Sequence, residues 1–350
     1  MVRRPLSSFA AIAMFGMVAA ACGGGDATDT AEVSTTAAAV ETTVVDQGPI
    51  YPLLGTEATD EAVLARPAMV VKIDNHPKAR PQMGLNEADI VFEENVEKLT
   101  RFAAVFHSVG SDPVGPIRSG RFQDINLVGS LNQPLFVWSG GNAKVTNAIR
   151  NSDLVDLSYT VANKDGGFAR DSERPAPHNL IAETTKLWTL APAGSVAPQK
   201  QFEYRTESDA NASTSEAVDG FRLSMDGVKV QWTWSSEVSE WLRVQDSTPH
   251  VDANDVQISV PNVIVLEVEY SNTYSPVSKT VGSGKAYVFT NGVVYVGSWE
   301  RTDRLGVYVI RDSAGAPIKL TPGQTFIQVS RAEKLAIIGS GVDPETIDYP

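Results

Sequence analysis

The stretch AMVVKIDNHP, residues 68–77, decides how the first half of the chain folds. Its first six residues form an apolar run, broken by a single lysine, that has the length of a buried strand. Residues 74–76 are polar, and Pro77 cannot continue a hydrogen-bonded strand. We therefore predict a buried strand that ends in a polar turn, as expected for a site built from loops on a rigid sheet.

The residues from 74 to 178 hold most of the unusual chemistry of the chain. Two polar loops marked by glycine lie here, GPIRSGR at residues 115–121 and SGGN at residues 139–142. Short apolar segments separate them. Three of the four histidines also fall in this region: His76, His107 and His178.

Alternating strand and helix patterns predict an α+β or α/β N-terminal domain over residues 51–195. A hairpin is expected from residues 89–96 and 100–107, with its turn at 98–99. Residues 135–138 are predicted to form a strand, and helices are expected at 121–131, 143–150 and 184–190. The order of strand, glycine-rich loop and helix over 135–150 is typical of ligand sites, because backbone N–H groups point outward where a helix begins.

Residues 196–350 are predicted to form a β-rich, antiparallel C-terminal domain curled toward a barrel or a sandwich. Asn291-Gly292 is a strong two-residue hairpin signal. Polar, loop-like residues at 192–199 and 208–220 favour a boundary between the two domains. The predicted strands are 228–234, 241–244, 262–270, 286–290, 293–299, 307–310 and 325–329.

The overall charge restricts the possible partners. The chain carries 29 basic and 42 acidic residues, a formal net charge of -13. Such a chain repels nucleic acid and anionic membrane surfaces unless it has a local basic patch, so we predict no nucleic-acid partner. A small anionic ligand stays possible, because arginines cluster around Arg118.

The N-terminus has the pattern of an export signal. Arg3 and Arg4 precede an apolar stretch at residues 9–21, which is too short to span a membrane comfortably. The sequence VAAAC at 18–22 resembles the lipobox of bacterial lipoproteins. We therefore predict a signal peptide at 1–21, a lipidated Cys22, and a flexible tether over 22–50 that is too poor in apolar residues to fold.

Long motifs occur throughout the chain after residue 51. They are KIDNHPKARPQ (72–82), GLNEADIVFEE (84–94), TRF (100–102), FHS (106–108), residues 114–121, SGGN (139–142), APHNL (176–180), GSGKA (282–286) and GSWER (297–301). These motifs resemble those of the YerB-like bacterial lipoproteins. The resemblance implies a two-part extracytoplasmic protein on the outer face of the cytoplasmic membrane. It supplies no catalytic residues to carry over, because the family has no established activity, and it leaves the function open.

The arginine loop is the best candidate for binding chemistry. Arg118 and Arg121 flank Ser119 where a helix is predicted to begin, and guanidinium groups bind carboxylate or phosphate through paired hydrogen bonds. Internal pairing with Asp124, Glu93 or Glu94 is the alternative, and Arg170 and Arg174 could join the arginines. The full candidate set is Asp74, Asn75, His76, Arg101, His107, Arg118, Ser119, Arg121, Ser139, Gly140, Gly141, Asn142, His178 and Asn179.

Enzymatic alternatives rest on the histidines. His76, His107 and His178 could hold zinc or manganese together with Asp74, Glu93 or Glu94, but their spacing gives no support and satisfied histidines are the alternative. Ser119 or Ser139 could form a triad with a histidine, although neither lies in a GxSxG motif. Glu93 and Glu94 should point to opposite faces of a strand. We assign no metal ligand and no cofactor.

Three functional hypotheses follow. The favoured one is a membrane-anchored module that binds an anionic envelope ligand, such as a wall fragment. The second is a wall-modifying hydrolase or transferase, with or without a metal. The third is an adaptor whose β-rich half binds another envelope protein. In that half, Trp232, Trp234, Trp241 and Trp299 could stack on sugars, with packing in the core or at an edge as the alternative.

Overall fold

The computed structural model describes residues 48–350, which group as part of one compact unit. The predicted signal peptide, Cys22 and the tether up to residue 47 lie outside the described residues. Among the residues described, no helix has both the length and the apolar character that crossing a membrane requires.

The helices are short, and their starts follow from local sequence. The α-helices are α1 (Glu61–Ala65), α2 (Phe122–Leu127), α3 (Ala143–Arg150), α4 (Tyr159–Ala162) and α5 (Thr184–Trp188), with single 3-10 turns at Pro77–Ala79, Gly129–Leu131 and Pro344–Thr346. The Asn142 side chain accepts a hydrogen bond from the Val145 N–H at 3.0 Å, so α3 begins where a capping residue predicts. The helix expected at 121–131 instead ends at Leu127 and continues as a 3-10 turn.

Strands hold more of the described chain than helices do. The first half contains β1 (Met69–Asp74), β2 (Ile90–Val96), β3 (Leu99–Phe106), β4 (Leu135–Trp138), β5 (Val155–Ser158), β6 (Ala169–Arg170) and β7 (Leu180–Ile181). The second half contains β8 (Glu203–Tyr204), β9 (Ser215–Met225), β10 (Val228–Ser235), β11 (Glu240–Gln245), β12 (Thr248–Pro249), β13 (Ser259–Val260), β14 (Asn262–Glu267), β15 (Gly282–Thr290), β16 (Val293–Arg301), β17 (Val309–Asp312), β18 (Lys319–Leu320), β19 (Thr325–Ser330) and β20 (Leu335–Gly339).

Two tight hairpin turns use the left-handed region of the backbone. Asn291 and Gly292 have φ of 50° and 71° between β15 and β16, as their sequence predicts. The β2–β3 turn is formed by Glu97 and Lys98, with φ of 33° and 67°, one residue earlier than predicted. Neither residue favours this conformation, so the local sequence is a weak signal for this turn.

Sixteen strands within residues 48–350 join one large mixed sheet. Its main order is β12-β11-β10-β9-β16-β15-β14-β19-β2-β3-β1-β4-β5, with β13, β17 and β20 attached at its sides. Two small ladders, β6 with β7 and β8 with β18, lie apart from it.

Strand β19 connects the two halves of the chain. It pairs in parallel with β14 on one side and with β2 on the other. All six of its residues are buried, as expected for a parallel strand covered on both faces. The fold is therefore mostly β with a mixed sheet shared by both halves, whereas the sequence predicts an α+β half followed by an antiparallel one. The domain boundary at residue 195 stays a prediction.

Apolar side chains cover both faces of this shared sheet. On β1, Val71 and Ile73 belong to one core and Val70 to the other; on β3, Phe102 and Val105 divide in the same way. The alternation follows from the two-residue period of a strand. The two cores hold β1 and β3 rigidly, so the turns at their ends have fixed positions.

Strand β9 corrects one prediction. The polar residues 208–220 predict a loop, but β9 begins at Ser215. Its first residues pair with β16, and its later residues pair with β10 and β20. Glu216 and Ala217 are exposed in the strand, which explains their lack of an apolar pattern.

Candidate functional site

Asp74 joins three of the predicted site residues at the end of β1. Its Oδ2 lies 2.6 Å from His178 Nδ1 and 3.0 Å from Arg118 Nε. Its Oδ1 accepts a hydrogen bond from the His76 N–H at 3.1 Å. Asp74 is only 3% exposed, so one buried carboxylate organises residues from three separate loops.

The two histidines next to Asp74 stack on each other. The rings of His76 and His178 have centroids 4.1 Å apart and an interplanar angle of 15°. The Lys78 N–H donates to His76 Nδ1 at 3.1 Å, which fixes the ring. Burial and the charge of His178 lower the pKa of His76, although Asp74 acts in the opposite direction. A neutral His76 is therefore favoured at neutral pH.

Three arginines surround the cluster and share two carboxylates. Arg101 lies directly opposite Asp74 in the β1–β3 register, and its Nη1 donates to the Ser119 carbonyl at 2.9 Å. Arg121 Nη2 lies 2.6 Å and 2.7 Å from the two Glu97 carboxylate oxygens. Glu97 also lies 3.7 Å from Arg101 Nη2. The group thus carries three guanidinium charges against two carboxylates.

The pKa of Arg101 is lowered mainly because its side chain is buried. Burial, together with the charges of Arg121 and Arg118, lowers this pKa to about 10, even though Glu97 and Asp74 act against the shift. Burial raises the pKa of Glu97, but the hydrogen bond to Arg121 and the charges of Arg121 and Arg101 together outweigh that effect, so the net direction is down. The lowered pKa of Glu97 keeps this carboxylate charged beside the two arginines.

Backbone hydrogen bonds bring the two polar loops together. The Arg118 N–H donates to the Lys72 carbonyl at 2.8 Å, and the Ser139 N–H donates to the Arg118 carbonyl at 3.0 Å. The Gly120 N–H donates to the Gly140 carbonyl at 3.2 Å. The arginine loop is therefore held between β1 and the SGGN loop.

A cavity of about 660 Å³ lies beside the arginine loop. One wall contains Glu97, Ser119, Arg121, Phe122, Gly141, Asn142 and Val145, and the opposite wall is formed by residues of the segment 271–277. The set of site residues predicted from the sequence included neither Glu97 nor the segment 271–277. The available signal was the turn-like sequence SNTYSP at 271–276, in which a tyrosine stands among small polar residues and a proline.

His107 does not belong to the cluster. It follows the last residue of β3, six residues beyond Arg101, which corresponds to roughly 20 Å along a strand. It is fully buried, and its carbonyl accepts a hydrogen bond from Arg66 Nε at 2.6 Å. Burial and the charge of Arg66 lower the pKa of the His107 ring to about 4.

Asn75 and Asn179 have structural contacts. Asn75 is fully buried and its Nδ2 donates to Thr100 Oγ1 at 2.7 Å and to Gln245 Oε1 at 3.2 Å, facing the second half of the chain. The Asn179 amide donates to the Asp171 carbonyl at 3.1 Å and receives a bond from Arg170. Arg174 donates to the carbonyls of residues 79 and 81.

The enzymatic arrangements receive little support from the geometry. Neither the Ser119 nor the Ser139 hydroxyl hydrogen-bonds a histidine in the described part of the chain. Glu93 pairs with Arg243 at 2.7 Å, while Glu94 pairs with Lys72 at 2.6 Å. Within residues 48–350, no group of three or more His, Cys, Asp and Glu side chains is placed to hold a metal ion. Of the four tryptophans considered for contact, Trp232, Trp241 and Trp299 are core residues and Trp234 is half-buried.

Comparison with known families covers both halves of the chain. Residues 53–197 match the N-terminal domain, and residues 221–327 the C-terminal domain, of a family described as protein of unknown function (DUF3048). A candidate lipoprotein named YerB, from Bacillus subtilis (strain 168), is 26% identical over 310 residues, covering 83% of this chain and 88% of the relative. This chain belongs to the YerB-like family.

The YerB-like fold is known from a crystal structure. The Bacillus subtilis YerB structure superposes with a TM-score of 0.71 at 23% identity, over 83% of this chain and 99% of that chain. At this identity the likeness establishes the fold. The Asp74–His178 cluster and the arginine loop both lie in the part that matches the N-terminal YerB-like domain.

Proposed function

We propose that this protein is an extracytoplasmic lipoprotein that binds an anionic envelope ligand between Arg118, Arg121 and the stacked histidines. The observation that carries the proposal is the gathering of three guanidinium groups around two carboxylates. The excess positive charge at this site contrasts with a chain of net charge -13. A buried or half-buried excess charge favours a complementary anion.

Arg118 is the residue best placed to meet such a ligand. Only its Nε faces Asp74, at 3.0 Å. Its two terminal nitrogens make no hydrogen bond or ion pair with any residue from 48 to 350, and the side chain is 22% exposed. A guanidinium fork with both ends available suits a carboxylate or phosphate oxygen pair. The stacked His76 and His178 provide an adjoining polar wall.

Thermal unfolding of the full-length protein in increasing inorganic phosphate tests this proposal. Ligand that binds the folded state raises the unfolding temperature. We expect phosphate to stabilise the wild type and the Arg118→Ala variant to lose most of that gain. Arg311→Ala, which removes an exposed arginine on β17, is the matched control and should respond like wild type. An equal response of Arg118→Ala and wild type would reject the anion site.

Anchoring through Cys22 is a separate part of the proposal. It is supported by the lipobox-like sequence VAAAC at 18–22 and by the YerB relative named as a candidate lipoprotein. Acyl chains on the cysteine would hold the protein at the membrane, since each buried CH₂ contributes about 0.8 kcal/mol. Labelled palmitate should enter the wild type in cells and not Cys22→Ser. Equal labelling of both chains would exclude lipidation at this residue.

A wall-modifying hydrolase or transferase is the second candidate. The Asp74–His178 contact of 2.6 Å favours it, because a carboxylate that holds one imidazole nitrogen leaves the other for proton transfer. Purified murein sacculi offer the test, with released fragments measured by chromatography. Wild type should release fragments and His178→Gln should not; identical traces from both and from a protein-free sample would eliminate it.

A further inference from the structure

The cavity beside the arginine loop contains the exposed aromatic side chains of this protein. Among the phenylalanine, tyrosine and tryptophan residues from 48 to 350, only Phe122 and Tyr274 are exposed, at 41% and 82%. Both line the same cavity, Phe122 from α2 and Tyr274 from the 271–277 segment. Two exposed rings that line one cavity offer apolar surface to a ligand.

The two walls of this cavity are fixed to each other. The Gln123 side chain donates to the Asn95 carbonyl at 3.1 Å and accepts from the Ser278 N–H at 2.9 Å. The segment 271–277 closes on itself, since the Ser271 N–H donates to the Val277 carbonyl at 2.9 Å. A buried glutamine of the first half thus holds the loop of the second half, and the distance between the two rings is set by the fold.

Beside Val145 and Val277, much of the remaining lining is polar. Ser271, Thr273 and Ser275 bring hydroxyl groups, and the Asn142 amide lies on the opposite wall. Flat rings combined with short hydrogen-bonding groups suit sugars, which present apolar C–H faces and a rim of hydroxyls. The cavity volume of about 660 Å³ accommodates a few sugar rings.

The arginine that lines the cavity would distinguish acidic sugars from neutral ones. Arg121 lines it and is the arginine bound to Glu97. Ser119 also lines it and directly follows Arg118 in the chain. An occupant of the cavity therefore contacts both aromatic rings and Arg121 of the arginine loop.

We propose that the cavity is a binding groove for an acidic glycan, with sugar rings on Phe122 and Tyr274 and an acidic substituent at Arg121 of the arginine loop. This proposal rests on the proposed function and names the chemical class of its ligand. An apolar peptide or an acyl chain fits less well, because the hydroxyl and amide groups of the lining would lose their hydrogen bonds to water.

Two glycans with the same backbone test it. Peptide-free murein strands carry a lactyl carboxylate on every second amino sugar, whereas chitooligosaccharides carry none. Binding to the full-length protein is measured by calorimetry. We expect the murein strands to bind and chitooligosaccharides of equal length to bind at least about tenfold more weakly. Equal binding of the two would overturn the acidic part of the proposal.

Aromatic variants separate the groove from the anion site. Phe122→Ala and Tyr274→Ala should each weaken murein-strand binding by about tenfold, an amount consistent with one lost ring contact. Tyr274→Phe keeps the ring and should retain binding, and Val161→Ala, exposed on α4, should match wild type. All four should keep the thermal response to inorganic phosphate.

The outcomes are distinct for the two proposals. Murein strands that bind Phe122→Ala and Tyr274→Ala as tightly as wild type would overturn the glycan groove. Strands that fail to bind a protein still stabilised by phosphate through Arg118 would overturn the groove and leave the anion site standing. A wild type that responds to neither probe would overturn both.

Discussion

Glu93 of β2 and Arg243 of β11 form an ion pair of 2.7 Å in which both side chains are completely buried. The pair joins the two halves of the chain across the core. Thr100 Oγ1 donates to the other Glu93 oxygen at 2.6 Å, so both carboxylate oxygens are bound. Removing either partner of such a pair is destabilising, because the remaining charge would be buried and uncompensated.

Replacing Glu93 should therefore be strongly destabilising. We expect Glu93→Gln to lower the free energy of unfolding by about 3–5 kcal/mol, measured by chemical denaturation. The exposed pair Lys200–Glu203, 2.8 Å apart, supplies the control: Glu203→Gln should change stability by less than about 0.5 kcal/mol. Similar small effects of both substitutions would show that the buried pair does not hold the halves together.

The lowered pKa of the buried His107 predicts that the protein loses stability in acid. Its pKa is about 4 in the fold against 6.5 ordinarily, so its contribution is present above pH 6.5 and is lost as the pH falls toward 4. Asp89, bound to Ser108, acts in the opposite sense: burial raises its pKa to about 6, and its contribution is lost as the pH rises through 6.

The variant His107→Leu isolates the histidine contribution. Denaturation curves of wild type and His107→Leu, compared between pH 7.5 and 4, should show a steeper loss of stability in the wild type, since Asp89 is common to both. Parallel curves across this range would mean that the buried ring keeps an ordinary pKa.

Two glycines of neighbouring strands differ sharply in the space around them. A Cβ on Gly220 of β9 would lie 2.2 Å from the Trp232 carbonyl oxygen of β10, whereas one on Gly339 of β20 would meet nothing closer than 3.5 Å. We expect Gly220→Ala to cost about 1–3 kcal/mol and Gly339→Ala to have little effect. Thermal unfolding of the two variants measures the difference, and comparable unfolding temperatures would contradict the close approach of β9 and β10.

Glu97 limits the positive charge at the proposed anion site. It binds Arg121 through both oxygens and lies near Arg101. Glu97→Gln adds one net positive charge there, so we expect tighter phosphate binding, by about threefold to tenfold, in a calorimetric titration at low salt. Glu203→Gln, far along the chain, should leave the affinity unchanged. Weaker phosphate binding by Glu97→Gln would show that Glu97 positions Arg121 more than it neutralises it.

Local features of the fold could be predicted from the sequence, and distant pairings could not. The apolar run of β1, the cap at Asn142 and the Asn291-Gly292 turn are set by neighbouring residues, so their patterns identify them. The placement of β19 between β14 and β2 depends on pairing across long separations, for which a single sequence carries no signal. The same holds for the cluster around Asp74. Its residues could be predicted from the sequence as site candidates, but the pairing of Arg121 with Glu97 could be identified only from the tertiary structure.

Strand β19 also constrains when the protein can become native. It is the last but one strand along the chain, yet its neighbours β14 and β2 depend on it to cover their open edges. While the polypeptide is being synthesised, one edge of residues 90–96 therefore stays unpaired until a strand more than two hundred residues later in the chain has been made. Because non-local pairing forms slowly, the growing chain cannot complete this sheet until residues 325–330 have been synthesised.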